Sequence, residues 1–152
     1  MLTILPESPL HPDLGLLMER HHQAMHADSP PESIHMLSAE RLAEPGIRFF
    51  VLRDDGRPVG MGAWKALTPD HAEIKSMHIL TEERGRGLAR QLMEYLVDQA
   101  RAAGFKRLSL ETGAQDSFAP ARALYVRGGF IECEAFPPYK PDPNSTFMTM
   151  AL

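Results

Sequence analysis

Residues 84–89 read Arg-Gly-Arg-Gly-Leu-Ala, and the hydrophobic pattern changes its period across them. Residues 72–80, which come before, have the apolar run of a buried strand, whereas residues 88–103 repeat apolar side chains at helical spacing. A glycine-rich turn that opens a helix leaves backbone N–H groups free at the positive end of the helix dipole. The sequence therefore predicts an anion site at this junction, most often for a phosphate.

The pattern on either side of the junction predicts one mixed α/β domain over residues 1–152. Helical spacing begins near residues 13, 38, 87 and 118, with Asp13 as the expected N-cap of the first helix and a break at residues 27–35. Asp-Gly at positions 55–56 separates two apolar runs, which is a strong hairpin signal. The seven predicted strands cover residues 2–5, 47–52, 59–67, 72–80, 106–112, 130–135 and 146–152.

The composition narrows the class of protein. The 152 residues carry a net charge of −4 with scattered Lys and Arg, a pattern that does not favour nucleic acid as a partner. No apolar run is long enough to span a bilayer, and the N-terminal residues lack the pattern of a signal peptide. Cys133 is the single cysteine, so no disulfide can form within the chain and a reducing compartment is favoured. We therefore expect a cytoplasmic protein with neither nucleic acid nor membrane as a partner.

Two motifs give the chain a family resemblance. Arg84, Gly87 and Ala89 fit the pattern Gln/Arg-x-x-Gly-x-Gly/Ala between a strand and a helix. Residues 121–130 read Ala-x-x-Leu-Tyr-x-x-x-Gly-Phe across the predicted end of a helix. With this order of elements, the sequence resembles the GNAT superfamily of N-acetyltransferases over essentially its whole length.

Two further stretches, residues 110–113 and 143–148, are similar to a small bacterial subgroup, the YsnE-like acetyltransferases. The resemblance implies the GNAT fold, a mixed central sheet of about seven strands with about four helices on its faces. It also implies an N-acetyltransferase that moves the acetyl group of acetyl-CoA to a primary amine by direct attack in a ternary complex, without a metal. The expected partners are acetyl-CoA and an amine. Because relatives often form homodimers, a second copy of the chain stays open as a further partner.

By the same resemblance, acetyl-CoA lies between a strand and the glycine turn. The pantetheine arm pairs with the strand before the turn, which splays away from residues 106–112, and the pyrophosphate takes the N–H groups of the turn. Phe118 stands where many relatives have an Asn that contacts pantetheine. The residues expected to bind the coenzyme are Met77, His78, Ile79, Arg84, Gly85, Arg86, Gly87, Leu88, Ala89, Arg90 and Phe118.

Glu73 and Tyr125 are expected to be the catalytic residues. Glu73 lies eleven positions before Arg84, the spacing of the catalytic glutamate in the histone-acetylating branch of the superfamily. A carboxylate on a buried strand takes up a proton more readily than one in water, which suits a general base. Glu111 on the adjacent strand, or a chain of water molecules, stays open as the base instead. In the family geometry, Tyr125 faces the CoA sulfur as a general acid.

Side chains alternate between the two faces of a strand. Over residues 72–80, alternation places Glu73, Lys75, Met77 and Ile79 on one face and His78 on the opposite face. The alternative to catalysis for Glu73 is an ion pair with Lys75 at the surface or at the strand edge.

Three functions stay open at this point. They are acetyl transfer to a small-molecule amine, acetyl transfer to protein lysines or N-termini, and the binding of acyl-CoA by a non-catalytic regulatory module. The presence of both Glu73 and Tyr125 favours an enzyme, since a pure binder needs neither a base nor an acid. A protein acceptor predicts an open cleft, whereas a small amine, the favoured acceptor, predicts a cleft closed by residues 27–36 and 137–145.

Overall fold

A mixed seven-stranded sheet lies at the centre of the structure, a computed structural model that describes residues 1–152. The strands are β1 (Leu2–Pro6), β2 (Ile47–Asp54), β3 (Arg57–Thr68), β4 (His71–Ile79), β5 (Arg107–Gly113), β6 (Ile131–Cys133) and β7 (Ser145–Ala151). The helices are α1 (Gly15–Asp28), α2 (Ala39–Leu42), α3 (Leu88–Ala102) and α4 (Ala119–Arg127). The strand order is β1-β2-β3-β4-β5-β7-β6, in which only β4 and β5 run parallel. The predicted α/β class, with seven strands and four helices, is confirmed.

Helices cover both faces of this sheet. On one face, α3 buries the predicted stripe of Leu88, Leu92, Leu96 and Ala100 against β3 and β4. On the other face, α1 and α2 bury a smaller core around Leu14, Leu17 and Leu42. None of the helices combines the length and the apolar character needed to cross a lipid bilayer.

The first helix differs from its prediction at both ends. Asp13 lies inside a short 3₁₀ turn, Pro12–Leu14, which His11 caps, and α1 then begins at Gly15 without a side-chain cap. At the other end α1 continues to Asp28, so the break expected from residue 27 comes later. Proline at N1 suits a 3₁₀ turn as well as an α-helix, and a capping pattern alone does not separate the two.

Ser76 interrupts β4 with a β-bulge. Its φ of +56° lies in the left-handed region, and the pairing with β3 passes from Lys75 opposite Ala63 to His78 opposite Met61. Three steps along β4 therefore match two steps along β3, which is the geometry of one inserted residue.

The bulge reverses the alternation of the side chains beyond it. Met77 and Ile79 pack with the core beneath α3, whereas His78 joins Glu73 and Lys75 on the face covered by α1. The prediction that Met77 and Ile79 share the face of Glu73, with His78 opposite, is therefore wrong. Its physical cause is a serine with positive φ, which hydrophobic periodicity does not register.

The parallel pair β4–β5 separates soon after it begins. Only three residue pairs join the two strands, the last being Glu73 with Ser109. Beyond that pair β4 continues to Ile79, and β5 continues to Gly113 while paired with β7. The sheet consequently has a gap that opens at Glu73 and widens toward the start of α3.

Candidate active site

A cavity of about 1090 Å³ passes through the gap between β4 and β5. Its lining comes from both faces of the sheet. We call the part lined by residues 84–90 and α4 the turn half. We call the part lined by α1, residues 29–36, Glu73, Lys75 and Glu111 the α1 half. One continuous space thus joins the predicted anion site to the predicted base.

The turn half is built around two glycines with positive φ. Gly85 has φ +85° and Gly87 has φ +74°, a region that L-residues other than glycine enter only with strain. No protein atom lies within 4 Å of where a Cβ would stand at either position. Gln91 is the first residue whose N–H bonds to a carbonyl of this turn, that of Gly87, at 3.2 Å. The N–H groups of Leu88, Ala89 and Arg90 therefore stay available for an anion in the cavity.

The arginines of the turn have different surroundings. Arg84 and Arg90 line the cavity. The guanidinium of Arg86 instead donates to Glu83 at 2.5 Å and to Asp54 at 2.9 Å. The bond to Asp54 connects the turn to the β2–β3 hairpin. Because its guanidinium is engaged in both bonds, only the backbone of Arg86 remains for an anion.

Tyr125 lies where α4 meets the gap. Its side chain is buried, and its hydroxyl contacts the Sδ of Met77 at 3.6 Å, a weak acceptor. Burial raises the pKa of Tyr125 to about 12, so the hydroxyl keeps its proton and is available as a donor. Phe118 stands at the entrance of α4 and packs against Gly113, where a Cβ would collide with its ring. The structure thus brings Met77, Phe118 and Tyr125 to the turn half.

Glu73 lies at the other end of the gap within a polar cluster. The residue is 2% exposed, and its carboxylate accepts a hydrogen bond from the hydroxyl of Tyr139. Lys75 places its Nζ 3.5 Å from Glu73 Oε2, 2.7 Å from the Tyr139 hydroxyl and 3.0 Å from the carbonyl of His35. Burial lowers the pKa of Lys75, and the charge of Glu73 partly offsets this effect. The pair of Glu73 and Lys75 is therefore buried and lies within the cavity, not at the surface.

Glu111 faces the same half from β5. Burial raises the pKa of Glu111, while the nearby charge of Lys75 acts in the opposite direction. Both Glu73 and Glu111 line the α1 half. The two predicted bases are thus both present in this half, and their surroundings differ.

Two loops meet above the α1 half. Ser33 donates to Asp142 at 2.6 Å, and the side-chain amide of Asn144 reaches the Ser33 hydroxyl at 3.5 Å. The ring of His35 packs edge-on against that of Tyr139, with 4.9 Å between their centroids. Residues 29–36 and 137–144 therefore contact each other and form a roof over this half.

Two buried histidines lie side by side between α1 and β4. The rings of His21 and His78 are 5.4 Å apart, and each side chain is less than one tenth exposed. Burial lowers the pKa of His21 and that of His78 to about 4. Both rings are therefore neutral at pH 7.

This pair makes stability depend on pH. Because their pKa values are lower in the folded state than the usual 6.5, the unfolded chain binds more protons between pH 6.5 and pH 4, and stability falls as the pH falls through that range. We expect each histidine to contribute a loss on the order of 1–2 kcal/mol at pH 5 relative to pH 8. Urea unfolding at pH 8, 6 and 5 measures this loss, and the double variant His21→Gln, His78→Gln should lose less. An unchanged pH slope in the double variant would contradict the assignment.

Metal ligands do not converge anywhere in the structure: no group of three or more His, Cys, Asp or Glu side chains is placed to hold an ion. His22 and His26, four residues apart on α1, stack on each other at 4.0 Å. Cys133 lies on β6 as a free thiol, and burial raises the pKa of Cys133.

The sequence did not identify Tyr139 as a residue of the site, and it identified Lys75 only as an ion-pair partner of Glu73. Tyr139 is in a proline-rich loop with no periodicity, and its contact with Glu73 spans 66 residues. The only sequence feature that pointed to Tyr139 was its place, as a polar aromatic residue, in a loop that was already expected to cover the cleft. Lys75 was considered only as the partner of Glu73, because a sequence does not show that a loop carbonyl and a tyrosine surround its ammonium.

The sequence of this chain is similar to those of known proteins and to the profile of a known family. The sequence profile of the acetyltransferase (GNAT) family matches residues 15–130. The N-acetyltransferase YsnE of Bacillus subtilis, itself uncharacterised, is 44% identical over 136 residues, which are 90% of each chain. A protein of Azospirillum brasilense named IAA acetyltransferase is 41% identical over 152 residues, covering 99% of this chain and 98% of that one.

A solved structure has the same architecture. The GNAT family acetyltransferase of Elizabethkingia anophelis, crystallised with acetyl-CoA bound, superimposes with a TM-score of 0.73. The match covers 99% of this chain and 98% of that one at 18% identity, a level at which the likeness concerns the fold alone.

Proposed function

The chain belongs to the acetyltransferase (GNAT) family and is an acyl-CoA-dependent N-acyltransferase, and from this membership we propose that it acetylates a small primary amine with acetyl-CoA. One observation carries the proposal. The cavity through the β4–β5 gap has the glycine turn with its free N–H groups at one end and a roofed half with buried carboxylates at the other. Two substrates can therefore approach each other from opposite faces of the sheet.

The turn half fits the coenzyme. Its free N–H groups and the positive end of α3 suit the pyrophosphate, and the open space at Gly85 and Gly87 lets phosphate oxygens approach the backbone. Arg84 and Arg90 add positive charge beside the turn. The edge of β4 next to the gap is not paired with β5 after Glu73, so the backbone from Met77 to Ile79 is placed to bind the amide-containing arm of CoA.

The α1 half fits a small acceptor. Its roof, made by residues 29–36 and 137–144, is held by hydrogen bonds from Ser33 and Asn144 and by the packing of His35 on Tyr139. A lysine within a folded protein would have to displace this roof, whereas a free amine would not. These contacts support a small-molecule acceptor over a protein acceptor.

The chemistry follows from the residues at the two ends of the gap. Glu73 takes a proton from the acceptor ammonium, and the freed nitrogen attacks the thioester carbonyl carbon. The N–C bond forms, the C–S bond breaks, and its electron pair leaves with the sulfur. Tyr125, which holds its proton at neutral pH, donates this proton to the sulfur to give free CoA. The nitrogen loses its second excess proton as the amide forms, and that proton restores the Tyr125 hydroxyl through solvent. No group on the protein becomes acetylated in this sequence.

The proposed function is tested by ligand binding and turnover on one sample. We expect acetyl-CoA to raise the melting temperature, because a ligand that binds only the native state stabilises it. Thiol release should then appear with members of a panel of small primary amines and stay at background with lysine-containing peptides. No thermal shift with any acyl-CoA would contradict the placement of the coenzyme. Faster release with the peptides would assign a protein acceptor.

The choice of base is tested by a matched pair of substitutions. We expect Glu73→Gln to lower kcat by roughly 100-fold, in the range of general-base effects, and to flatten the rise of rate with pH. Glu111→Gln makes the same chemical change on the other wall of the cavity and should preserve the shape of the pH–rate profile. An unaltered profile in Glu73→Gln, together with a flattened one in Glu111→Gln, would move the role to Glu111. Unaltered profiles in both would leave the role to water.

A further inference from the structure

Tyr139 is the part of the polar cluster that no motif explains. It comes from the loop between β6 and β7, yet its hydroxyl lies between Glu73 and Lys75 of β4. Its ring is held by edge-on packing against Phe136 at 5.3 Å and by Phe147 at 5.6 Å. Three aromatic neighbours, counting His35, thus fix the direction in which the hydroxyl points.

The hydroxyl has a defined role in the hydrogen bonds around it. It accepts from the ammonium of Lys75 and donates to the carboxylate of Glu73. Burial, together with the charge of Glu73, raises the pKa of Tyr139, so the hydroxyl stays protonated. The donor toward Glu73 is therefore present throughout the pH range in which an amine is acetylated.

Both contacts to Glu73 end on the same oxygen. The Tyr139 hydroxyl and Lys75 Nζ each approach Oε2, and no protein donor is bonded to Oε1. Glu73 nevertheless lines the cavity. A carboxylate held at one oxygen cannot rotate freely, so the other oxygen keeps a fixed direction.

We propose that Tyr139 is a positioning residue of the active site, which with Lys75 holds Oε2 of Glu73 and leaves Oε1 as the atom that accepts the acceptor's proton. The inference rests on the proposed function, in which Glu73 is the general base. Tyr139 itself touches neither substrate in this mechanism. Its hydrogen bond to Oε2 fixes the orientation of the carboxylate, because a general base must lie within hydrogen-bond reach of the proton that it accepts.

The cluster also links the base to the roof. Lys75 donates to the carbonyl of His35 in one roof segment and to Tyr139 in the other. The Glu73 carboxylate is therefore oriented by the same contacts that close the α1 half. Orientation of the base and enclosure of the acceptor depend on each other through one ammonium and one hydroxyl.

The test is Tyr139→Phe, which keeps the ring and removes only the hydroxyl. We expect kcat to fall roughly 10- to 100-fold, the effect of a misdirected catalytic group. The KM for the acceptor should change little, because Tyr139 touches neither substrate, so the loss should fall on kcat. The Kd for acetyl-CoA should be unchanged, and the melting temperature should fall only modestly, because the buried Glu73 and Lys75 each lose one hydrogen-bond partner. Tyr95→Phe, on α3 outside the cavity and packed on Phe50, is the matched control and should leave every one of these quantities unaltered.

A double variant separates positioning from structural support. In a Glu73→Gln background, Tyr139→Phe should cause no further loss of kcat, because the group that it positions is already absent. A full additional loss there, or an unchanged kcat in the single variant, would overturn the positioning role while the acetyltransferase activity of the wild type stands. If the wild-type protein releases no thiol with any amine, it is the proposed function that fails, and with it the inference.

Discussion

Replacement of Gly87 by Glu is expected to abolish measurable binding of acetyl-CoA. The position has φ +74° and its Cβ would point into open cavity space beside the predicted pyrophosphate site. A carboxylate about 4 Å from a phosphate charge costs about 4 kcal/mol at the effective dielectric near a protein surface. That energy corresponds to roughly a thousandfold in Kd, and the bulk of the side chain adds to the loss. Isothermal titration with acetyl-CoA measures the effect.

Gly104→Glu is the matched control for this substitution. Gly104 also has a positive φ, +91°, with no atom within 4 Å of an added Cβ, but it lies at the other end of α3. Both variants therefore bear the same backbone strain, about 1–2 kcal/mol, and the same added charge. Gly104→Glu should bind acetyl-CoA like the wild type. Equal loss of affinity in both variants would show that instability, not the turn, explains the result.

Tyr125→Phe is expected to have the next largest effect, and this effect should be on the rate of the reaction and not on the binding of acetyl-CoA. We expect kcat to fall roughly 100-fold or more, the scale of a lost general acid, while the Kd for acetyl-CoA changes little. The hydroxyl has only the weak contact with Met77 Sδ, so its removal leaves no strong donor or acceptor unpaired and the fold should be as stable as before. Single-turnover and steady-state assays over pH 6 to 9 measure the rate.

The same control as for Tyr139 applies to Tyr125. Tyr95→Phe removes a hydroxyl from a half-buried tyrosine of α3 that does not line the cavity, so normal turnover is expected. Normal turnover in Tyr125→Phe as well would remove this residue as the acid. Loss of acetyl-CoA binding in Tyr125→Phe would assign its hydroxyl to the ground-state complex instead.

Local patterns in the sequence were sufficient for most of the fold. The stripe on α3, the Asp55-Gly56 hairpin and the Arg84–Ala89 turn depend on short-range rules of period and turn chemistry, and each is found as predicted. The gap beside β4 was predicted from the family resemblance, whereas the order of strands in the sheet was not predicted, since no local rule specifies which strands pair. The extent of α1 was misjudged because prolines at 30 and 31 suggested an earlier end.

The residues of the candidate site were likewise predicted only in part. Glu73 and Tyr125 were predicted from the family resemblance, and Glu111 was predicted from its place on the adjacent strand. All three line one cavity. Tyr139 was not predicted, because its role arises from tertiary packing of a loop that has neither period nor motif. Which face each residue of β4 occupies was also beyond the sequence, because the reversal depends on the backbone angle of Ser76.

That single inserted residue could also be removed without turning any side chain of β4 to the other face. Deletion of Ser76 would leave Lys75, Met77 and His78 in unbroken alternation, with Lys75 and His78 on one face and Met77 on the other, as they lie now. A bulge bends the strand that carries it, so the deletion would straighten β4 beside the gap while its faces stayed the same.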